Sequence, residues 1–207
     1  IYLSLKDPDN ENFSLPSNEI FKVVNQNRVY IFQLDKNSEI SNKIKDLVVK
    51  KIISDALIKS FTLPCLIHGV MLTKSLAGNG YGMHVDNPYM PSGRSDLSFT
   101  LFLNDPEDYE GGSLCIQTIN ETKQIKLSAG EMIIYPSTQL HSVSQVKKGE
   151  RFVCVGWIQS YVQNNEDRNF LFGLDAGAKG LLAKHGRSDE LDLIFQAYSN
   201  LLRRLGD

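Results

Sequence analysis

From Cys65 to Val162 the sequence is a series of short β-rich runs separated by turn clusters, and no other feature narrows the fold so far. The breaks are Gly78-Asn79-Gly80, Asn87-Pro88, Pro91-Ser92-Gly93, Asp105-Pro106, Gly111-Gly112, Ala129-Gly130, Pro136-Ser137 and Lys148-Gly149. Glycine supplies the positive φ that tight turns need, while proline fixes φ and removes a ladder donor. The runs between them predict strands at about 65–75, 80–86, 96–103, 113–118, 122–128, 131–135, 140–146 and 151–162. Short strands at this spacing predict a sandwich or barrel, with the jelly roll its natural form.

Helical periods flank this segment. Ile40, Ile44, Val48 and Ile52 recur at i+4, and Leu47, Ile53, Ala56 and Leu57 broaden the stripe, predicting one helix over 38–61 with Ser38 as N-cap and Pro64 beyond its end. Lys43, Lys45, Lys50 and Lys51 read as its solvated face. After Val162, Phe170, Leu171, Leu174, Leu181 and Leu182 predict a helix broken near Gly173 and Gly177. Ser188 caps another, with the stripe Leu191, Ile194, Phe195, Tyr198, Leu201, Leu202 and Leu205. Before Ser38, Asp7 to Asn12 reads as loop and Asn27 to Leu34 as a strand or extended segment. The fold class is thus α+β, mainly β: a double-stranded β-helix (jelly roll) with flanking helices and a C-terminal helical extension. The divisions are 1–64 as N-terminal segment with a support helix, 65–162 as core and 163–207 as extension.

Charge removes several function classes. Lys+Arg number 22 and Asp+Glu 24, so a net charge of −2 offers no global field for nucleic acid or an anionic membrane. No apolar run approaches the roughly 18–20 residues that cross a bilayer. Cys65, Cys115 and Cys154 lie far apart in apolar runs and read as small buried hydrophobes. With no signal peptide pattern at Ile1-Tyr2-Leu3, the expectation is a cytoplasmic, reducing compartment.

The chemistry gathers on few residues. His84 and Asp86 stand at i and i+2 of a strand, so both point to one face at a strand end. His141 opens another strand, and two histidines with one carboxylate make the facial triad that suits non-haem Fe(II), leaving positions open. Arg151 follows His141 by ten residues, across a turn read at Val146 to Glu150, which places it on the paired strand. It shares a face with Val153, Val155 and Trp157, where an inward guanidinium needs an anion. A structural ion pair with Asp or Glu would meet that need as well as a ligand would. On Asp96 to Leu103, Leu97, Phe99, Leu101 and Leu103 face helices, while Ser98, Thr100 and Phe102 face a pocket. Tyr81 adds a phenol beside it. His68 reads as a satisfied core histidine and His185 as a helix C-terminal residue.

Together these residues resemble the 2-oxoglutarate/Fe(II)-dependent oxygenases. More closely, His84 to Pro88, Arg94 to Leu103, Asp108 to Leu114, Leu127 to Pro136 and Gly149 to Ser160 resemble the PKHD-type hydroxylases, relatives of the prolyl 4-hydroxylase catalytic domain. The likeness runs over about residues 65–207. It implies His84, Asp86 and His141 as iron ligands, Arg151 as partner of the distal 2-oxoglutarate carboxylate, and Tyr81, Leu114, Val143 and Trp157 as cosubstrate pocket; apart from the resemblance, Lys74 is the anchor to consider should Arg151 not serve. Lys74-Ser75 stand where relatives often carry a tyrosine, and Phe102 where animal prolyl hydroxylases place one. The implied cofactors are Fe(II), 2-oxoglutarate and O2, with ascorbate a further candidate. The implied reaction is hydroxylation of a peptide or small molecule, a peptidyl proline first, without nucleic acid or membrane. The competing reading is a non-enzymatic jelly-roll module that binds a metal or small acid.

Overall fold

The computed structural model describes residues 2–4, 21–26, 29–34 and 38–206. The loop expected at Asp7 to Asn12 lies outside them, as do Asn27 and Arg28. The chain order is β1 (Tyr2–Ser4), β2 (Phe21–Gln26), β3 (Val29–Leu34), α1 (Glu39–Ser54), α2 (Ala56–Thr62), β4 (Pro64–Leu76) and β5 (Tyr81–His84). There follow β6 (Tyr89–Met90), β7 (Gly93–Arg94), β8 (Leu97–Phe102), β9 (Tyr109–Gly111), β10 (Leu114–Gln117), β11 (Thr122–Ile125), β12 (Glu131–Pro136), β13 (His141–Val143) and β14 (Val146–Ser160). Helices α3 (Asn165–His185) and α4 (Asp189–Leu205) close the chain.

Two antiparallel sheets form the jelly roll. The larger runs β1-β12-β8-β14-β4-β3-β2, the smaller β11-β10-β13-β5. The alternation on β8 works as the sequence predicts. Leu97, Phe99 and Leu101 pack with Ile44, Val48, Ile52 and Ile58 of the helices, while Phe102 joins Leu114, Ile116, Ile125, Ile133, Tyr135 and Val153 between the sheets. No described helix is long and apolar enough to cross a membrane.

Four expectations need correction. The helix expected over 38–61 divides at Asp55, whose Oδ1 accepts from the backbone N–H of Leu57 and Ile58, each at 3.0 Å. A new helix begins there: the i+4 row of α1 and Ile58 of α2 pack in the core, and Leu47, Ile53, Ala56 and Leu57 stay exposed. Helix α3 runs unbroken through Gly173 and Gly177, where an added Cβ would meet nothing within 4 Å. Val146 to Glu150 is no turn but the start of β14, which pairs first with β9 and then with β4 and β8. Gly149 has φ +78°, and a Cβ there would lie 2.3 Å from the Asp108 carbonyl oxygen, so this glycine serves a close strand approach. Finally, Cys65 is exposed near the start of β4, whereas Cys115 and Cys154 are buried as expected.

The short hairpin β6-β7 pairs only with itself. It is pinned at both turn and stem: buried His68 bonds Ser92 Oγ through Nδ1 and the Arg94 carbonyl through Nε2, both at 2.9 Å. Arg94 also donates to Asp96 and to the Ser160 carbonyl. His68 is therefore the satisfied core histidine that its apolar strand predicts.

Candidate active site

His84 ends β5 and His141 begins β13, and the two are directly opposite partners in the smaller sheet. Their ring centroids lie 4.2 Å apart. Asp86 follows β5 in an irregular stretch and turns back between them. One carboxylate oxygen is 3.7 Å from His84 Nε2, the other 3.8 Å from His141 Nε2. One ligand atom from each of the three residues falls within 4.8 Å of the others, a grouping suited to a metal ion.

The protonation pattern favours that use. His84 Nδ1 donates to the Gly82 carbonyl at 2.8 Å and His141 Nδ1 to the Gln139 carbonyl at 2.9 Å. With Nδ1–H held by a carbonyl, each Nε2 presents its lone pair inward, the arrangement that orients metal-bound imidazoles. Partial burial pushes the His84 pKa below its ordinary value, and the neighbouring His141 acts the same way, against the pull of the Gly82 carbonyl and Asp86. A neutral ring is the form a metal binds.

A cavity of about 180 Å3 opens on the triad. Tyr81, His84, Asp86, Thr100, Leu114, His141, Val143, Arg151 and Trp157 line it, whereas Phe102, expected to face the pocket, is buried in the core between the sheets instead. Tyr81 meets His84 edge-on at 4.3 Å. Arg151 is placed differently from the expectation. Strand β14 does not pair with β13; it belongs to the larger sheet, so Arg151 faces the triad from the opposite wall. Ten residues of spacing read as a hairpin because Gly149 looked like its turn.

Arg151 is 3 % exposed, and among the described residues no carboxylate pairs with it. Its Nε has no hydrogen-bond partner there. Burial lowers its pKa, with the phenols of Tyr109 and Tyr135 working in the opposite sense. Guanidinium nonetheless stays charged in proteins. Room for this side chain comes from Gly112, at φ +65°, where a Cβ would stand 3.0 Å from Arg151 Cδ and from the Tyr109 ring. Lys74, the alternative anchor, does not line the cavity and bonds Glu150 at 2.7 Å.

Other contributors were not assigned a role from sequence. Met71, Thr73 and Ser75 line the cavity from β4, and Ser75 is the cross-strand partner of Arg151. Their alternation is a readable signal, obscured by Lys74 in the same run. Ser98, expected to face inward, also donates to Asp86 Oδ2 at 2.5 Å. Tyr135 stands edge-on to His141 at 5.2 Å, and burial followed by the Asp86 charge raises its phenol pKa. His185 sits in the last turn of α3, as expected, away from the site.

Residues 68–159 match the family model described as the 2OG-Fe(II) oxygenase superfamily. A PKHD-type hydroxylase of Prochlorococcus marinus (strain NATL2A) is 84 % identical over 176 residues, covering 85 % of this chain and 80 % of that protein. One from strain MIT 9211 is 69 % identical over 175 residues, covering 84 % of this chain and 79 % of that protein. Among solved structures, a Pseudomonas putida prolyl-4-hydroxylase aligns with a TM-score of 0.49 at 19 % identity, covering 67 % of this chain and 77 % of that one.

Proposed function

The chain belongs to the PKHD-type hydroxylases of the 2OG-Fe(II) oxygenase superfamily and is a 2-oxoglutarate- and Fe(II)-dependent dioxygenase; on that premise we propose that His84, Asp86 and His141 hold the iron and Arg151 the distal carboxylate of 2-oxoglutarate. The observation that carries this reading is a buried guanidinium without an acidic partner among the described residues, lining one cavity with the His-Asp-His cluster.

The residues fit the groups that the family uses. Two inward Nε2 lone pairs and one carboxylate form a mixed nitrogen and oxygen donor set that covers one side of a metal and leaves the other open. When bound, iron with 2-oxoglutarate and O2 supplies the oxidation, yielding succinate, CO2 and a hydroxylated substrate. The protein's part is orientation. Arg151 matches a carboxylate with a planar fork and fixes the far end of the cosubstrate. Val143, Leu114, Val153, Val155 and Trp157 form apolar wall around it and exclude water. Tyr81 braces the His84 ring, and the two backbone carbonyls keep both imidazoles in the metal-binding tautomer.

The substrate we propose is a proline within a peptide, on the resemblance of the catalytic motifs to prolyl 4-hydroxylases, with ascorbate as reductant. The cytoplasm is the proposed location, consistent with three free thiols. The test is succinate release from 2-oxoglutarate under Fe(II), O2 and ascorbate, with and without proline peptides. His141→Ala is expected to abolish it; wild-type turnover in that variant would remove His141 from the metal site, and stimulation by free metabolites but not peptides would remove the peptide assignment.

A further inference from the structure

Asp86 is the one member of the triad that no strand holds. His84 and His141 are fixed by ladder pairing and by their carbonyl partners, whereas Asp86 lies beyond the end of β5. A carboxylate in that position can turn about two side-chain torsions, and both of its oxygens suit a metal.

Its restraint comes from the other sheet. Ser98, on β8, places Oγ 2.5 Å from Asp86 Oδ2. The same Oγ lies 2.7 Å from Ser137 Oγ, and both serines are 3 % exposed. Ser137 follows β12, where its N–H donates to the Asp96 carbonyl at 3.1 Å. A hydroxyl has a single proton to give. With that proton on Asp86, the Ser98 oxygen accepts from Ser137, so the bonds run in one direction, from Ser137 to Ser98 to Asp86. Hydrogen bonds aligned this way strengthen each other in a dry interior.

We infer that Ser98, backed by Ser137, is a positioning residue that occupies one oxygen of Asp86 and leaves the other for the metal, so that the carboxylate takes a single coordination position. This rests on the reading of Asp86 as a ligand. The consequence concerns the cosubstrate: a carboxylate that clasped the metal with both oxygens would take a position that 2-oxoglutarate and O2 need. Outer-shell partners of metal ligands typically change metal affinity by about 10–100-fold when removed.

The experiment titrates Co(II) into the apoprotein and follows its visible spectrum, which reports coordination directly, with thermal unfolding of each apoprotein as control. Ser98→Ala is expected to weaken Co(II) binding by roughly tenfold or more, to alter the spectrum and to leave apoprotein unfolding in place. Ser137→Ala shifts both in the same direction by less, and Ser98→Thr, which keeps the hydroxyl on a β-branched frame, restores them. Wild-type affinity and spectrum in Ser98→Ala would overturn the inference. So would a loss of affinity that Ser98→Thr shares in parallel with lost apoprotein stability, the mark of a packing role. Asp86→Ala separates the two levels: if it binds Co(II) like the wild type, the ligand assignment itself falls, whereas a loss there beside an unaffected Ser98→Ala removes only the relay.

Discussion

A guanidinium at 3 % exposure without a carboxylate partner among the described residues costs stability in isolation, because burial removes its hydration. Bound cosubstrate offsets that cost, and a charge-assisted pair of this kind is worth roughly 2–5 kcal/mol when one side is truncated. Arg151→Ala is therefore expected to weaken 2-oxoglutarate binding by tens-fold or more while Co(II) binding changes little. Arg151→Lys recovers part, since a point charge cannot reproduce the fork. Calorimetric titration of the metal-loaded variants checks this, and unchanged affinity in Arg151→Ala would mean that another residue anchors the distal carboxylate. At this scale the sequence was informative wherever a residue type has few alternative uses. That His84, Asp86, His141 and Arg151 gather at one cavity is legible because the i, i+2 pair, the strand-opening histidine and the guanidinium on an apolar face were all read as pointing inward. Ser75 and the Ser98–Asp86 bond are not, because serine is common and its partner is set by how two sheets face each other.

Elements were read best where burial and period agree and worst where a local side-chain bond overrides the period. Asp55 is the clearest case. The apolar spacing continues across it, yet its carboxylate caps the first N–H groups of α2 and forces a break. Replacing such a cap by alanine costs about 0.5–2 kcal/mol. Asp55→Ala should lower the urea midpoint accordingly, and Asp55→Asn should keep most of the stability because an amide oxygen can still accept. Equal loss in both variants would point to charge rather than capping. Strand β14 shows the converse error, since Gly149 has the φ of a turn residue but uses it for close approach to Asp108, so a 15-residue strand looked like a hairpin arm.

For the molecule as a whole, the candidate site joins the two sheets: both histidines ride on the smaller, while Arg151 and the serine that holds Asp86 belong to the larger. Sequence spacing cannot assign a strand to one of two facing sheets, which is why the jelly roll was legible and the placement of Arg151 within it was not. Ligands that bridge sheets stabilise the native state alone. Mn(II) with 2-oxoglutarate at about a hundred times its dissociation constant contributes roughly 2.7 kcal/mol, which raises the melting temperature of a chain this size by about 5–11 °C. A melting temperature indifferent to both would mean that neither binds the native state. The hairpin β6-β7 has a consequence of another kind. Its turn and stem are bound to the barrel through His68, Asp96 and Ser160, while Tyr89, opposite Arg94 at the open end of the hairpin, is 68 % exposed and the hairpin adds no strand to either sheet. What must be kept and what can vary thus stand side by side within eight residues, Asn87 to Arg94. Descendants of this gene can exchange the Tyr89 side chain, and with it the company the enzyme keeps, without disturbing a single rung of the ladders that hold its chemistry.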